Sequence, residues 1–281
     1  MVELTRTVRL CVNDPVEDRG RLSSAETAVS NAYSAWPAMR GLGRYYEVTV
    51  GYVGEPDAET GYLVDIKLID RVVRDRGMTV MNSAIGSGEP VAVDAVVAGL
   101  LEAVGPEIGV GVRWVELGLT PGLRVRAVRD AEDVLMVLMT QTFEFSAAHR
   151  LFLRDRSDAE NAELFGKCAN PAGHGHNYRL DVTVACDAGG DARLPMAEAL
   201  DAWVDRWVIE ALDHKHLNVD VQAFESLNPS VEHIAQVVWG LLEGRVEALG
   251  AGVRLDEVRV WETGKTSCRY RGPAGAVNLG G

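Results

Sequence analysis

The sequence predicts an α+β fold built as two tandem units, residues 1–133 and 134–281. Three observations point there. The first is an internal repeat. Gly41-Leu42-Gly43-Arg44-Tyr45-Tyr46-Glu47-Val48-Thr49-Val50 lies over Gly173-His174-Gly175-His176-Asn177-Tyr178-Arg179-Leu180-Asp181-Val182, 132 positions later. Glu89-Pro90 before Gly99-Leu100-Leu101-Glu102 then matches Asn228-Pro229 before Gly240-Leu241-Leu242-Glu243, and Trp114-Val115-Glu116-Leu117 resembles Val260-Trp261-Glu262-Thr263. The order holds while the offset drifts, as loop insertions would cause, and the junction falls near residues 131–136. The second is that each half carries strand-like alternation followed by helix-like periodicity. The third is that all six histidines lie between His149 and His233, so the halves are expected to differ in chemistry.

The second half reads in order as strand, strand, helix, helix, strand. Phe143, Phe145, Ala147 and His149 share one parity, as in a strand whose apolar face ends in a histidine. Tyr178, Leu180, Val182 and Val184 form the next inward face, and His174 and His176 extend it. From Pro195 to Leu212, apolar residues at 196, 199, 200, 203, 204, 207, 208, 211 and 212 follow a helical stripe. A second helix starts near Ser230, a good N-cap, with Ile234, Val237, Val238, Leu241 and Leu242 on one side. Val258 and Val260 belong to a closing strand, and antiparallel pairing is expected. The Gly-rich tail from Arg271 is expected to be mobile.

Composition removes several functions. The formal charge of −13 argues against attraction to a nucleic-acid backbone. No apolar run approaches a membrane span, and the first residues do not read as a signal peptide. Cys11, Cys168, Cys186 and Cys268 form no CxxC pair and are expected to be reduced thiols in the cytoplasm.

His-x-His on a strand puts both imidazoles on one face. With His149 ending a neighbouring inward strand, three imidazoles can converge. Three nitrogen ligands with a fourth position open suit a catalytic Zn2+. Buried histidines that merely satisfy local carbonyls are the plainer alternative. Leu42 and Arg44 stand at the places of His174 and His176, so the first copy lacks the site.

Phe145-Ser146-Ala147-Ala148-His149, Cys168 through Tyr178, Leu212-Asp213-His214-Lys215-His216-Leu217-Asn218, Pro229-Ser230-Val231-Glu232 and Trp261-Glu262-Thr263 together resemble the 6-pyruvoyl-tetrahydropterin and 6-carboxytetrahydropterin synthase family. The resemblance covers residues 137–272 and implies a T-fold, an antiparallel sheet with two helices on one face, in each unit. It further implies assembly into barrels with sites at subunit interfaces. Also implied are zinc on His149, His174 and His176, and action on 7,8-dihydroneopterin triphosphate with loss of triphosphate. Cys168 matches the family's catalytic cysteine, Asp213 and His214 its Asp-His pair, Glu262 its pterin-anchoring glutamate, and Glu232 a second recognition glutamate.

Each of these has a physical rationale beside a blander one. A thiol next to an Asp-oriented imidazole can serve as a base, although a free cysteine is often only a small hydrophobe. Asp213 and His214 after a helix end could equally be a turn residue and a dipole complement. A carboxylate on an inward strand face needs a partner, and the two-donor edge of a pterin would supply one for Glu262. Glu232 also fits a first-turn helix position. His216 and His233 are left as structural or substrate-lining. Arg150, Lys167, Lys265 and Arg269 lie beside the motifs and are the expected triphosphate contacts, Arg150 and Lys265 foremost.

The enzyme reading is a carbon–oxygen lyase, serving biopterin or deazaguanine synthesis. The alternative is a zinc- or pterin-binding assembly without turnover. Five residues separate Cys168 from His174, which resembles the pyruvoyl-forming spacing, and the product stays open between the two types. Three tandem chains forming a pseudo-hexamer would hold six T-fold units and three zinc sites, with the first unit as scaffold.

Overall fold

The computed structural model describes residues 1–13, 35–87, 91–130, 133–188 and 193–273. The tail from 274 lies outside them, as do 131 and 132 of the expected junction. The chain divides into two compact units, one holding Met1–Met139 and the other built, among the described residues, from Thr140–Cys186 and residues 193–273.

In the first unit, β1 (Val2–Val12), β2 (Arg44–Gly54), β3 (Val112–Thr120) and β4 (Leu123–Arg129) pair antiparallel in that order. One parity of each strand is buried: Val8 and Leu10, Val48 and Val50, Val115 and Leu117, Val125 and Ala127. Against the sheet lie α1 (Ile66–Val72), a π-helical turn (Val73–Gly77), α2 (Met78–Gly86) and α3 (Val93–Ile108). Helix α3 packs on β3 and β4, burying Val97, Leu100, Leu101 and Val104.

The second unit has a similar order with added elements. It contains β5 (Leu135–His149) from Thr140 onward, α4 (Asp158–Phe165), β6 (His174–Asp187) up to Cys186, α5 (Ala197–Val204), a π-helical turn (Asp205–Ile209) and α6 (Glu210–Leu212). Then follow β7 (Lys215–His216), α7 (Leu217–Asp220), α8 (Val231–Glu243), β8 (Arg254–Thr263) and β9 (Thr266–Tyr270). The strand order is β5-β6-β8-β9, and β7 runs parallel beside β5. Side-chain bonds Thr140–Thr183 (2.9 Å), Thr142–Asp181 (2.7 Å) and Ser146–Asn177 (2.8 Å) tie β5 to β6. The fold is α+β. No helix among the described residues is long and apolar enough to cross a membrane.

The structure departs from the sequence expectation in the helix predicted over 195–212. It begins at Ala197, with Met196 outside it and exposed, and is interrupted by a π turn. The spacing explains the interruption. Leu200, Val204, Val208 and Leu212 are all fully buried, four residues apart. At about 100° per residue an uninterrupted α-helix would rotate Leu212 some 120° away from Leu200. One extra residue in a π turn absorbs most of that drift and keeps the stripe on the core. The first unit shows the same device: Ile69, Val73, Gly77 and Met81 are buried at four-residue spacing around its own π turn.

Each unit also ends in a strand that the sequence reading did not include, β4 and β9. Helix α4 is a further addition. Its start is a full capping box: Ser157 accepts from the Glu160 amide and Glu160 reaches back to Ser157.

Candidate active site

His149 is the last residue of β5 and is wholly buried. Its Nδ1 lies 2.7 Å from the Pro229 carbonyl oxygen. A carbonyl only accepts, so Nδ1 carries the proton and Nε2 presents a bare lone pair. His174 and His176 reach the same point from β6, with ring centroids 4.5 and 5.1 Å from that of His149 and 4.9 Å from each other. One nitrogen from each ring lies within 4.8 Å of the others. Burial pushes His149 down to about 4, the Pro229 bond opposes this, and the other histidines lower it further. His174 is lowered for the same leading reason. Neutral imidazole, the ligand form, is thereby favoured.

Four buried nitrogens here lack hydrogen-bond partners: His149 Nε2, both nitrogens of His174, and His176 Nε2. Glu262 Oε1 stands 3.4 Å from His149 Nε2 and 3.7 Å from His176 Nε2. With His149 neutral this is no ion pair: a lone pair and a carboxylate face one another. Such an arrangement is costly unless a cation joins them. The donor set of three imidazoles fits Zn2+.

Cys168 sits on a 3₁₀ turn, Gly166–Ala169, and is partly exposed. Gly166 at φ 56° reverses the chain after α4. The Leu151 amide donates to the Cys168 carbonyl (2.9 Å), fastening the turn just beyond His149. Gly173 closes the loop at φ 72°. A Cβ there would stand 2.8 Å from His216 Nε2 and 3.1 Å from the His149 carbonyl oxygen, so only glycine lets the loop approach the ligand strand this closely.

Asp213 and His214 follow α6. Asp213 Oδ1 accepts the Ser146 amide (2.7 Å) and Oδ2 pairs with His214 Nδ1 (2.6 Å). The His214 amide in turn donates to the Ser146 carbonyl (2.6 Å). The Ser146 amide, and after it His214, hold the Asp213 carboxyl below the usual carboxylate range. His214 adopts φ 55°, uncommon for a residue with a side chain, and its ring is 83% exposed. It opens on a cleft of about 630 Å³ shared with Ser146, His176, Asn177 and His216. Cys168 and Glu262 are not among the walls of that cleft. The three histidines and Glu262 therefore converge, while the Asp-His pair borders the cleft.

Glu232 lies in the first turn of α8, exposed, held below its ordinary range by the Ser230 hydroxyl and by its own helix amide. Lys265 is exposed on the β8–β9 turn and Lys167 is exposed on the cysteine turn. Arg269 pairs with Glu257 (3.3 Å). Arg150 is engaged by the protein itself, bonding the Ala169 carbonyl (2.9 Å) and Asp158 (2.5 Å). His216 lines the cleft with a buried, unpartnered Nδ1, and His233 bonds the Asn228 carbonyl (2.7 Å).

Sequence reasoning passed over Pro229, whose carbonyl fixes the His149 tautomer, and Ser146, whose amide and carbonyl hold the Asp-His pair. Both act through backbone groups, which residue type does not reveal.

Laying the two units strand on strand corrects one sequence alignment. Val48 faces Leu117, and Leu180, its counterpart, faces Val260. Leu119, not Glu116, therefore stands where Glu262 does. Glu116 is on the outer face, bonded to Arg126 at 2.8 Å. Asn82, inside the continuing α2, takes the place of Asp213. The first unit lacks the described ligands on every count, and Leu42 is almost fully exposed.

The sequence profile of the 6-pyruvoyl tetrahydropterin synthase family matches residues 138–273. The human 6-pyruvoyl tetrahydrobiopterin synthase is 38% identical over 135 residues, which cover 48% of this chain and 90% of that protein. The 6-carboxy-5,6,7,8-tetrahydropterin synthase of Aquifex aeolicus is 25% identical over 158 residues, covering 47% of this chain and 96% of that protein. The solved structure of the Caenorhabditis elegans 6-pyruvoyl tetrahydropterin synthase is 32% identical with a TM-score of 0.43, and covers 49% of this chain and 96% of that one. Through its second half, the chain belongs to the 6-pyruvoyl tetrahydropterin synthase family.

Proposed function

We propose that the second unit is a zinc-dependent lyase acting on 7,8-dihydroneopterin triphosphate, removing triphosphate to give a 6-pyruvoyl-tetrahydropterin or, with addition of water and further loss of acetaldehyde, a 6-carboxy-tetrahydropterin. The observation that carries this reading is the convergence of three imidazoles, each with an unpartnered buried ring nitrogen, on a stretch shared with tetrahydropterin synthases. Zinc held by His149, His174 and His176 would supply Lewis-acid stabilisation of negative charge developing beside the substrate's side-chain oxygens.

The protein groups divide the remaining work. Asp213 fixes His214 with Nδ1 protonated, which leaves Nε2 as the proton acceptor facing the cleft. Cys168 is the base that takes a proton from a side-chain carbon, and the imidazole receives that proton and returns it. Triphosphate leaves with the electron pair of its carbon–oxygen bond. In this reading the thiol of one copy meets the Asp-His pair of another, in keeping with the interface sites the family resemblance implies. Glu262 anchors the pterin edge, Glu232 assists at the α8 terminus, and Lys265 faces the triphosphate. The first unit is an enzymatically silent T-fold copy. Its matching strand order, its π turn and its four-residue buried stripe support a common origin for the two units.

The experiment is triphosphate release by zinc-loaded wild type, by Cys168→Ala, by His214→Ala, and by a mixture refolded from the two variants. Wild type is expected to release triphosphate, each variant alone to lose about 10²–10⁴-fold, and the mixture to recover activity. No release by wild type would leave only the pterin- or zinc-binding alternative.

A further inference from the structure

We infer that Arg150 is the positioning residue of the active-site thiol, tying the end of the histidine strand to the turn that carries Cys168. This rests on the reading of Cys168 as the base, and it departs from the expectation that Arg150 contacts triphosphate.

The geometry is a three-way clasp. Arg150 follows His149 directly, so its backbone moves with a metal-site imidazole. Its Nε donates to the Ala169 carbonyl at 2.9 Å, one residue after Cys168. Its Nη2 meets Asp158 Oδ1 at 2.5 Å, in the first turn of α4, the helix that leads into the cysteine turn. The guanidinium also lies over the Phe152 ring, 4.6 Å from its centroid. Only 16% of the side chain is exposed.

The Arg150 backbone is held equally firmly. Asn218 accepts from its amide (2.8 Å) and donates to its carbonyl (3.0 Å). Two residues on, the Phe152 amide donates to Asn228 Oδ1 (3.1 Å), and the Leu153 amide to Asn161 Oδ1 (2.7 Å). The strand end is thus a fixed platform, and the cysteine turn hangs from it by the Leu151–Cys168 backbone bond and the Arg150 fork. Two donors diverging in one plane are a property of guanidinium that an ammonium cannot reproduce. These bonds commit the Nε and Nη2 sides of the guanidinium to the cysteine turn and α4, which leaves only the remaining N–H groups for any phosphate contact.

The test uses the full-length, zinc-loaded protein with Arg150→Lys and Asp158→Asn. Zinc content, kcat and KM for triphosphate release are measured, together with the rate at which iodoacetamide alkylates Cys168, read by peptide mass spectrometry. Arg150→Lys should keep its zinc, leave KM within about twofold and lower kcat about 10–100-fold, the penalty of a misplaced reacting group. Cys168 should alkylate about fivefold faster as its turn opens more often. Asp158→Asn should move kcat and alkylation the same way by less, and it decides the matter if Arg150→Lys does not fold. A tenfold rise in KM with kcat and alkylation unchanged would make Arg150 a phosphate ligand and overturn the inference, as would wild-type values throughout. Should wild type prove inactive, the enzyme reading falls while alkylation still reports on the clasp.

Discussion

Gly173 carries more of the metal site than its size suggests. Its left-handed backbone and the closeness of His216 and the His149 carbonyl leave no room for a side chain. Gly173→Ala is expected to weaken zinc binding at least about tenfold, since both strain and displacement fall beside a ligand. Gly61→Ala, at a similar φ of 71° but with open space around it, should leave zinc affinity unchanged. Chelator competition on both variants separates the two. Asp213 gives a second prediction at this scale. Its folded-state titration lies below the ordinary value of 3.8, so on acidification the unfolded chain takes up this proton first. The stabilisation it brings is complete above that value and is lost as pH falls through the lower folded one. The difference in unfolding free energy between wild type and Asp213→Asn should stay level above about pH 5 and shrink toward about pH 3. A difference that grows on acidification would contradict the assignment.

How much was legible differs by residue. The histidine convergence followed from period-two alternation, because His149, His174 and His176 all keep the parity of their apolar neighbours. The engagement of Arg150 and Arg269 by nearby acids did not, because sequence proximity to a motif says nothing about which carboxylate lies closer in space. Glu116 failed for a related reason: a match of residue letters, Trp-x-Glu against Trp-Glu, missed the register by three positions, and strand pairing alone decides which side chain faces inward.

At the level of elements, the four-residue spacing of buried positions is the most telling feature. The sequence shows it as 200, 204, 208 and 212, a stripe that by itself predicts an uninterrupted helix. A strict period of four is too long for 3.6 residues per turn, and the π turns in both units are the backbone's answer. Helix α4 was likewise visible in Ser157-x-x-Glu160, but its moderate apolar content hid it. Ser157→Ala should cost about 1 kcal/mol, from the loss of the cap. Urea unfolding of the two proteins measures this, and a change below a few tenths would mean the capping box does not hold the helix. Strands β4 and β9 escaped for opposite reasons. In β4 the alternation is present, as Leu123-Arg124-Val125-Arg126-Ala127, but short, and β9 (Thr266–Tyr270) has little apolar side chain to show.

Across the whole molecule, the two units share a sheet order and a π turn, but only the second presents a described set of ligands. The first keeps the sheet, the π turn and the helical stripe, all of which serve packing, and lacks imidazole, carboxylate and Asp-His pair at the matching places. Packing residues are held by the stability of the unit itself, whereas site residues are held only by chemistry. A chain with one such centre should carry one equivalent of zinc. The most direct measurement is anomalous diffraction at the zinc edge on crystals of the full-length protein, with metal content determined on the same sample. One zinc per chain is expected, bound by nitrogens of His149, His174 and His176 at about 2.0–2.1 Å. Two zincs per chain, or a metal held by other residues with these three rings turned away, would contradict the account.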